Sequence, residues 1–215
     1  VQTETTLKLG LANALATGPV NLSGTEATLD MTAASQNIPG LSGSNQSRVI
    51  LGDNTLTLNQ NSTFNGTFNS NANGRVIVDG SSTLTLGDIN SAPGTLQVNA
   101  NSKTVMTLGA TFAPTTALDL AAAGATFDAS ASGEDMTLSS LKGGTNTSFK
   151  WGNQSLMINE PSVFDGTLEG GLNSQVILNA DLTLGGQNLN TSDWTINAAT
   201  LTMKAGSTLP THSSL

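Results

Sequence analysis

The chain returns to itself at a fixed interval, and this limits what it can fold into more than any other feature. Leu56-Thr57-Leu58-Asn59 comes back one hundred residues later as Leu156-Met157-Ile158-Asn159. Phe64-Asn65-Gly66-Thr67-Phe68 comes back as Phe164-Asp165-Gly166-Thr167-Leu168, and Arg75-Val76-Ile77-Val78 as Gln175-Val176-Ile177-Leu178. Two residues are then lost, so that Leu84-Thr85-Leu86-Gly87 meets Leu182-Thr183-Leu184-Gly185. The duplication covers about 46–110 and 146–206. A chain built of copies buries each unit against its neighbours, which favours a stacked, quasi-one-dimensional architecture over a fold wrapped around one pocket.

Within the copies, apolar and polar residues alternate with period two. Leu56-Thr57-Leu58, Leu84-Thr85-Leu86, Leu96-Gln97-Val98, Met106-Thr107-Leu108 and Leu201-Thr202-Met203 each put two apolar side chains on one face and a polar one on the other. That is the pattern of a half-buried strand, and it recurs at short intervals punctuated by Gly, Asn, Asp and Ser. Leu9-Gly10, Leu51-Gly52, Leu86-Gly87, Leu108-Gly109 and Leu184-Gly185 suggest glycine corners with positive φ. Thr116 to Ala123 fits either one helical turn or a strand. The fold expected is an all-β, right-handed parallel β-helix (a β-solenoid), one segment over 1–215.

Coils of roughly 20–25 residues would give about nine or ten turns and a rod of ~45 Å. Its core would hold Leu56, Leu58, Phe64, Phe68, Val76, Val78, Leu84 and Leu86, with their counterparts Leu156, Ile158, Phe164, Leu168, Val176, Leu178, Leu182 and Leu184. On this arithmetic the duplication spans four or five coils, and Phe64 and Phe164 share one axial row. Trp151 aligns with Leu51 and belongs with the core.

Charge narrows the function classes. Only 10% of residues are charged, against ~25% in typical domains, and small polar residues fill the solvated positions instead. The net charge is −8 and the seven basic residues are scattered singly, which argues against nucleic-acid partners and anionic membranes. No apolar run is long enough to insert into a bilayer. There is no cysteine, which removes thiolate chemistry and leans towards export. The abrupt ends at Val1 and Leu215 read as cuts from a longer protein.

Two stretches resemble the passenger-associated repeats of bacterial autotransporters, the type V secretion family. One is Leu11-Ala12-Asn13-Ala14-Leu15-Ala16-Thr17-Gly18-Pro19-Val20-Asn21-Leu22-Ser23-Gly24 with Thr28-Leu29-Asp30 behind it. The other is Leu56-Thr57-Leu58-Asn59-Gln60-Asn61-Ser62-Thr63-Phe64-Asn65-Gly66-Thr67. Around Phe164 the second stretch returns with Glu160-Pro161 in place of Gln60-Asn61. The resemblance covers about half the chain. It implies a parallel β-helix presented on the bacterial cell surface or secreted, and a parent protein with a C-terminal outer-membrane β-barrel. It also implies an adhesin or stalk that meets host-surface or bacterial-surface molecules, with self-association among them.

Candidate sites are sparse. Ile77 and Ile177 stand at outward parity, as corner residues or as an exposed apolar strip for lateral association; Trp194 is a further candidate contact. Association end to end through uncapped coils is the other expectation. Acidic pairs for a polysaccharide-active enzyme would come from Asp79 with Asp88, Glu160 with Asp165, or Asp128 with Glu134 and Asp135, all in turn-like contexts. The sole histidine, His212, lies near the end and disfavours a serine–histidine triad. Calcium would need acidic turns, but the glycine-rich calcium repeat is absent; no catalytic residue, metal or cofactor is assigned. Thr55-Leu56-Thr57, Thr83-Leu84-Thr85 and Thr200-Leu201-Thr202 are similar to the flat threonine arrays of ice-binding solenoids. The reading reached is a surface-exposed adhesin or stalk; a polysaccharide-active β-helix enzyme and a segment of a secreted toxin are the alternatives.

Overall fold

A computed structural model describes residues 4–15, 17–87, 91–188 and 193–209. These form a β-solenoid of about ten turns, with 25 strands and no helix among the described residues. Every strand pairing is parallel, and the strands stack into three faces. One face is a nine-stranded sheet running from Gln36–Ile38 to Leu201–Met203; a second is an eight-stranded sheet from Val20–Leu22 to Thr167–Gly170. The third face is divided into two four-stranded sheets, from Thr6–Lys8 to Thr67–Ser70 and from Met136–Leu138 to Asp193–Ile196. Single bridges at Asn69–Ala92 and Ser91–Phe112 carry the first of these onward. The chain visits the faces in constant order. Val20–Leu22 lies on the eight-stranded sheet, Thr28–Asp30 on the divided face and Gln36–Ile38 on the nine-stranded sheet; Leu41–Gly43 returns to the eight-stranded one.

The alternation in the sequence becomes the wall of the rod. In Thr55–Leu58 the burial alternates, with Leu56 and Leu58 inside and Thr55 and Thr57 half-exposed. All sixteen inward residues named above are buried, none more than 3% exposed. Deleting such a side chain removes both its transfer free energy and its neighbours' contacts. Aromatic rings reinforce the middle of the stack: Phe112, Phe127, Phe149 and Trp151 follow one another at centroid distances of 5.7, 5.4 and 5.7 Å. Ala117–Leu120 settles the ambiguous segment as a strand.

Corners depend on a turn that the alternation does not reveal. The N–H of Ser47 donates to the Ser44 carbonyl, that of Ser82 to Asp79 and that of Ser102 to Asn99. The residue before each closing serine takes the left-handed conformation, with φ of 72° at Gln46, 59° at Ser81 and 56° at Asn101. Polar residues tolerate this region better than β-branched ones. The closing Ser or Thr is buried; in Ser47 and Ser82 its hydroxyl donates back to the same carbonyl, and the Thr147 hydroxyl donates to the Gly144 carbonyl three residues before it. Of the strand-closing glycines, Gly52 and Gly109 have positive φ. Gly87 and Gly185 serve close approach instead: a Cβ there would lie 2.3 Å from Asn65 Oδ1 and 2.0 Å from Asp165 Oδ1.

The duplication is visible strand by strand. Gln36–Ile38, Leu41–Gly43, Arg48–Gly52, Thr55–Leu58, Ser62–Phe64, Thr67–Ser70 and Arg75–Val78 recur with identical bounds shifted by one hundred. Yet Phe64 and Phe164 do not share an axial row. Ser62–Phe64 belongs to the eight-stranded sheet and Ser162–Phe164 to the nine-stranded one. From Ser62–Phe64 the chain makes four circuits back to the eight-stranded sheet, at Ser148–Gly152, then crosses the divided face at Ser155–Ile158 and reaches the nine-stranded sheet at Ser162–Phe164. Paired residues in successive coils are 18 apart at Val176–Trp194 and 23 apart at Leu118–Leu141. One hundred residues therefore fill four coils and two thirds of another, and every strand of the second copy sits one face away from its counterpart.

Candidate functional site

With the inward positions filled by the core, function must be sought in the outward ladders, where one residue per coil stacks on the next. On the eight-stranded sheet the ladder runs Asn21, Ser42, Thr63, Thr85, Val105, Asp128, Lys150, Glu169. It begins uncharged and ends as a column of alternating charge. Lys103, beside Val105, reaches down to Asp128 at 3.1 Å, and Lys150 meets Glu169 at 2.7 Å. Burial works against the charged form of Asp128. The hydroxyl and N–H of Ser130 together with the Lys103 ammonium outweigh it and hold the carboxyl below the usual aspartate range. The Glu169 carboxylate, accepting from Lys150, raises that ammonium's pKa. Beside the column lies a hollow of about 240 Å³ lined by Ser130, Gly152, Gly170 and Gly171 as well as the charged residues.

The nine-stranded sheet presents Asn37, Thr57, Ile77, Gln97, Asp119, Lys142, Val163, Thr183 and Thr202. Ile77 is half-buried between Thr57 and Gln97. Ile177 lies on the divided face between Met157 and Thr195. The two isoleucines therefore form no common strip, because the fractional number of coils between them places them on different faces. Trp194 is 3% exposed and stacks inside on Val176, so it is a core residue and not a contact; Trp151 is likewise buried. The threonine triplets do not align: Thr85 stacks on Thr63 and Val105, Thr57 on Asn37 and Ile77, Thr202 on Thr183.

Of the candidate carboxylates, those of Asp128, Asp135 and Asp165 have structural partners, whereas Asp79, Glu134 and Glu160 take part through their main chains. Both Asp165 oxygens accept from Lys204, at 2.7 and 2.8 Å, across the gap left by Gly185. Asp135 accepts from the Ser155 N–H and so supports a corner. The carbonyl of Asp79 accepts from Ser82 and that of Glu160 from Ser162, while the Glu134 N–H donates to Ser132. Asp88 and His212 lie outside the described residues. Among the described residues no three acidic or histidine side chains gather as a cation site would require. A shallow groove of about 350 Å³ follows one corner past Ser70, Ala72, Gly94, Thr115 and Ser139, lined by small hydroxyl and methyl groups.

No protein-family profile matches the chain, and neither the curated proteins nor the solved structures give a match. The charge column escaped sequence reading. Asp128, Lys150 and Glu169 are separated by 22 and 19 residues, which is one coil each, but that spacing means adjacency only once every corner length is known.

Proposed function

We propose that this chain is a stalk segment of an autotransporter-type passenger, held on the bacterial surface or released from it, with an adhesive role towards surface molecules. The observation that carries this reading is what the duplication kept and what it let go. Inward residues return nearly unchanged: Leu56 as Leu156, Phe64 as Phe164, Val76 as Val176. Close-packing glycines return too, Gly43 as Gly143 and Gly66 as Gly166. Most outward residues differ: Arg48 becomes Ser148, Ile50 becomes Lys150, Thr63 becomes Val163 and Asn69 becomes Glu169, while Asn59, Thr67 and Ile77 return as Asn159, Thr167 and Ile177 on another face. A protein that repeats a ligand site repeats its contact residues. One that repeats chiefly its core, and moves the few repeated outward residues to another face, extends a scaffold, which is the work of a stalk. The likeness of Leu11–Asp30 and Leu56–Thr67 to passenger repeats supports the same reading. The test is to raise antibodies against this chain and label intact cells of its native host. Surface labelling that external protease removes is expected; labelling only after lysis overturns the export reading.

A further inference from the structure

The charged end of the eight-stranded face has a symmetry that its chemistry makes consequential. In four successive coils it carries Lys103, Asp128, Lys150 and Glu169, which read plus, minus, plus, minus along the rod. Reversed, the column reads minus, plus, minus, plus, so it is complementary to itself at every level when turned end for end. We propose that this face pairs with the same face of a second copy of the chain, the two rods antiparallel.

The two-fold axis lies in the interface, along the strand direction, between the Asp128 and Lys150 levels. A two-fold interface of this kind uses one patch on both partners. Asp128 of each protomer then faces Lys150 of its partner in register, because both occupy the same ladder position. Glu169 faces the level of Lys103, offset along the strand by two residues. The Lys103 side chain already covers that offset within one chain, where it reaches Asp128 at 3.1 Å. Parallel docking of the same faces would set like charges opposite each other, which is destabilising.

Two further features fit the pairing. The residues flanking the column in the same strands are Thr126, Ser148 and Thr167, small enough to let two sheets approach. All four charged side chains keep solvent access, from 22% at Asp128 to 42% at Glu169, so they can be shared with a partner without being stripped from a buried site. Exposed ion pairs are individually weak, and the association is correspondingly weak and salt-dependent. It does not depend on the export route proposed above, since the purified chain alone displays it.

The experiment is sedimentation equilibrium of the purified chain and of two variants, Asp128→Lys and Lys150→Glu. The parent chain should dimerise at an ionic strength of about 0.01 M and lose the dimer near about 1 M, where the screening length falls to about 3 Å. Each variant alone places like charges across the axis and should weaken dimerisation about tenfold or more, equivalent to about 1.4 kcal/mol. An equimolar mixture should regain it. The lysine introduced by Asp128→Lys in one chain then faces the glutamate introduced by Lys150→Glu in the other, and the unchanged Lys150 and Asp128 still face each other. A misfolded variant cannot complement, so regain also certifies the fold. A chain that stays monomeric at low salt overturns the proposal. So does association that both variants leave intact, or that the mixture fails to restore.

Discussion

The region around Phe64 and the region around Phe164 are built alike and stand on different faces. Ser62 accepts from the Leu41 N–H at 3.0 Å and donates to the Gln60 carbonyl at 3.1 Å; Ser162 does the same with Leu141 and Glu160, both at 2.9 Å. Phe64 packs where a Cβ on Gly43 would lie 2.5 Å from its ring, and Phe164 does the same to Gly143 at 2.4 Å. Replacing Gln60-Asn61 by Glu160-Pro161 leaves these serine bonds in place. The module is thus indifferent to which face it occupies, because each strand sees only the coil before and the coil after. The copies differ where size or charge is exchanged. Leu51 with Ser70 becomes Trp151 with Gly170, and a Cβ on Gly170 would lie 2.5 Å from the Trp151 ring. Ile50 beside Asn69 becomes the ion pair of Lys150 with Glu169.

The comparison breaks first at the phenylalanines. Phe64→Ala and Phe164→Ala should each lower unfolding free energy by about 3–5 kcal/mol, since both rings are fully buried. Chemical denaturation monitored by circular dichroism checks this. Losses below about 0.5 kcal/mol at either site, the level of a surface change, mean that the two copies are not packed alike.

A smaller effect sharpens the exchange of size. Gly170→Ser imports the first copy's residue into the second and should cost about 1–3 kcal/mol through overpacking against Trp151. In a Trp151→Leu background the cost should fall, because the ring is gone and only the Ser174 hydroxyl, 2.4 Å from the added Cβ, still opposes the serine. A double-mutant cycle with no coupling between the two positions would show that the substitutions arose independently.

The smallest effect concerns charge. The folded pKa of Lys150 is raised, so its contribution is complete below the unfolded lysine value of about 10.4 and disappears as pH climbs through the folded value. Asp128 has a lowered folded pKa; its contribution stands above about 3.9 and is lost as pH falls through the folded value. Both groups are exposed enough that each pair is limited to about 0.2–1 kcal/mol. Melting temperatures against pH should show Lys150→Met reducing the alkaline loss, whereas Ile50→Met at the matching position leaves the profile as it was. An unchanged alkaline limb in Lys150→Met would remove the ion pair from the stability of the second copy.

Which way most strand side chains point was already legible in the chain, although Leu108, expected inside with Met106, lies past the end of strand Lys103–Met106 and is 82% exposed. Leu56, Val76, Leu182 and the rest face inward because parity within a strand is a local property, set by the pleat and needing no knowledge of distant residues. Trp194 could be resolved only with its coil partner Val176 in view, since Trp194-Thr195-Ile196 alternates like the other strands and yet Ile196 at the same parity is 38% exposed. Neighbourhood across coils was decided by the tertiary structure alone. Each corner adds or removes a residue or two, and coils of 18 to 23 residues let these differences accumulate until a hundred-residue repeat misses whole-coil register by a third of a turn. That sum separates Ile77 from Ile177 and sets Asp128, Lys150 and Glu169 in one column. Parity is inherited strand by strand, whereas registry between coils is the total of every turn in between, and only the folded rod carries out that addition.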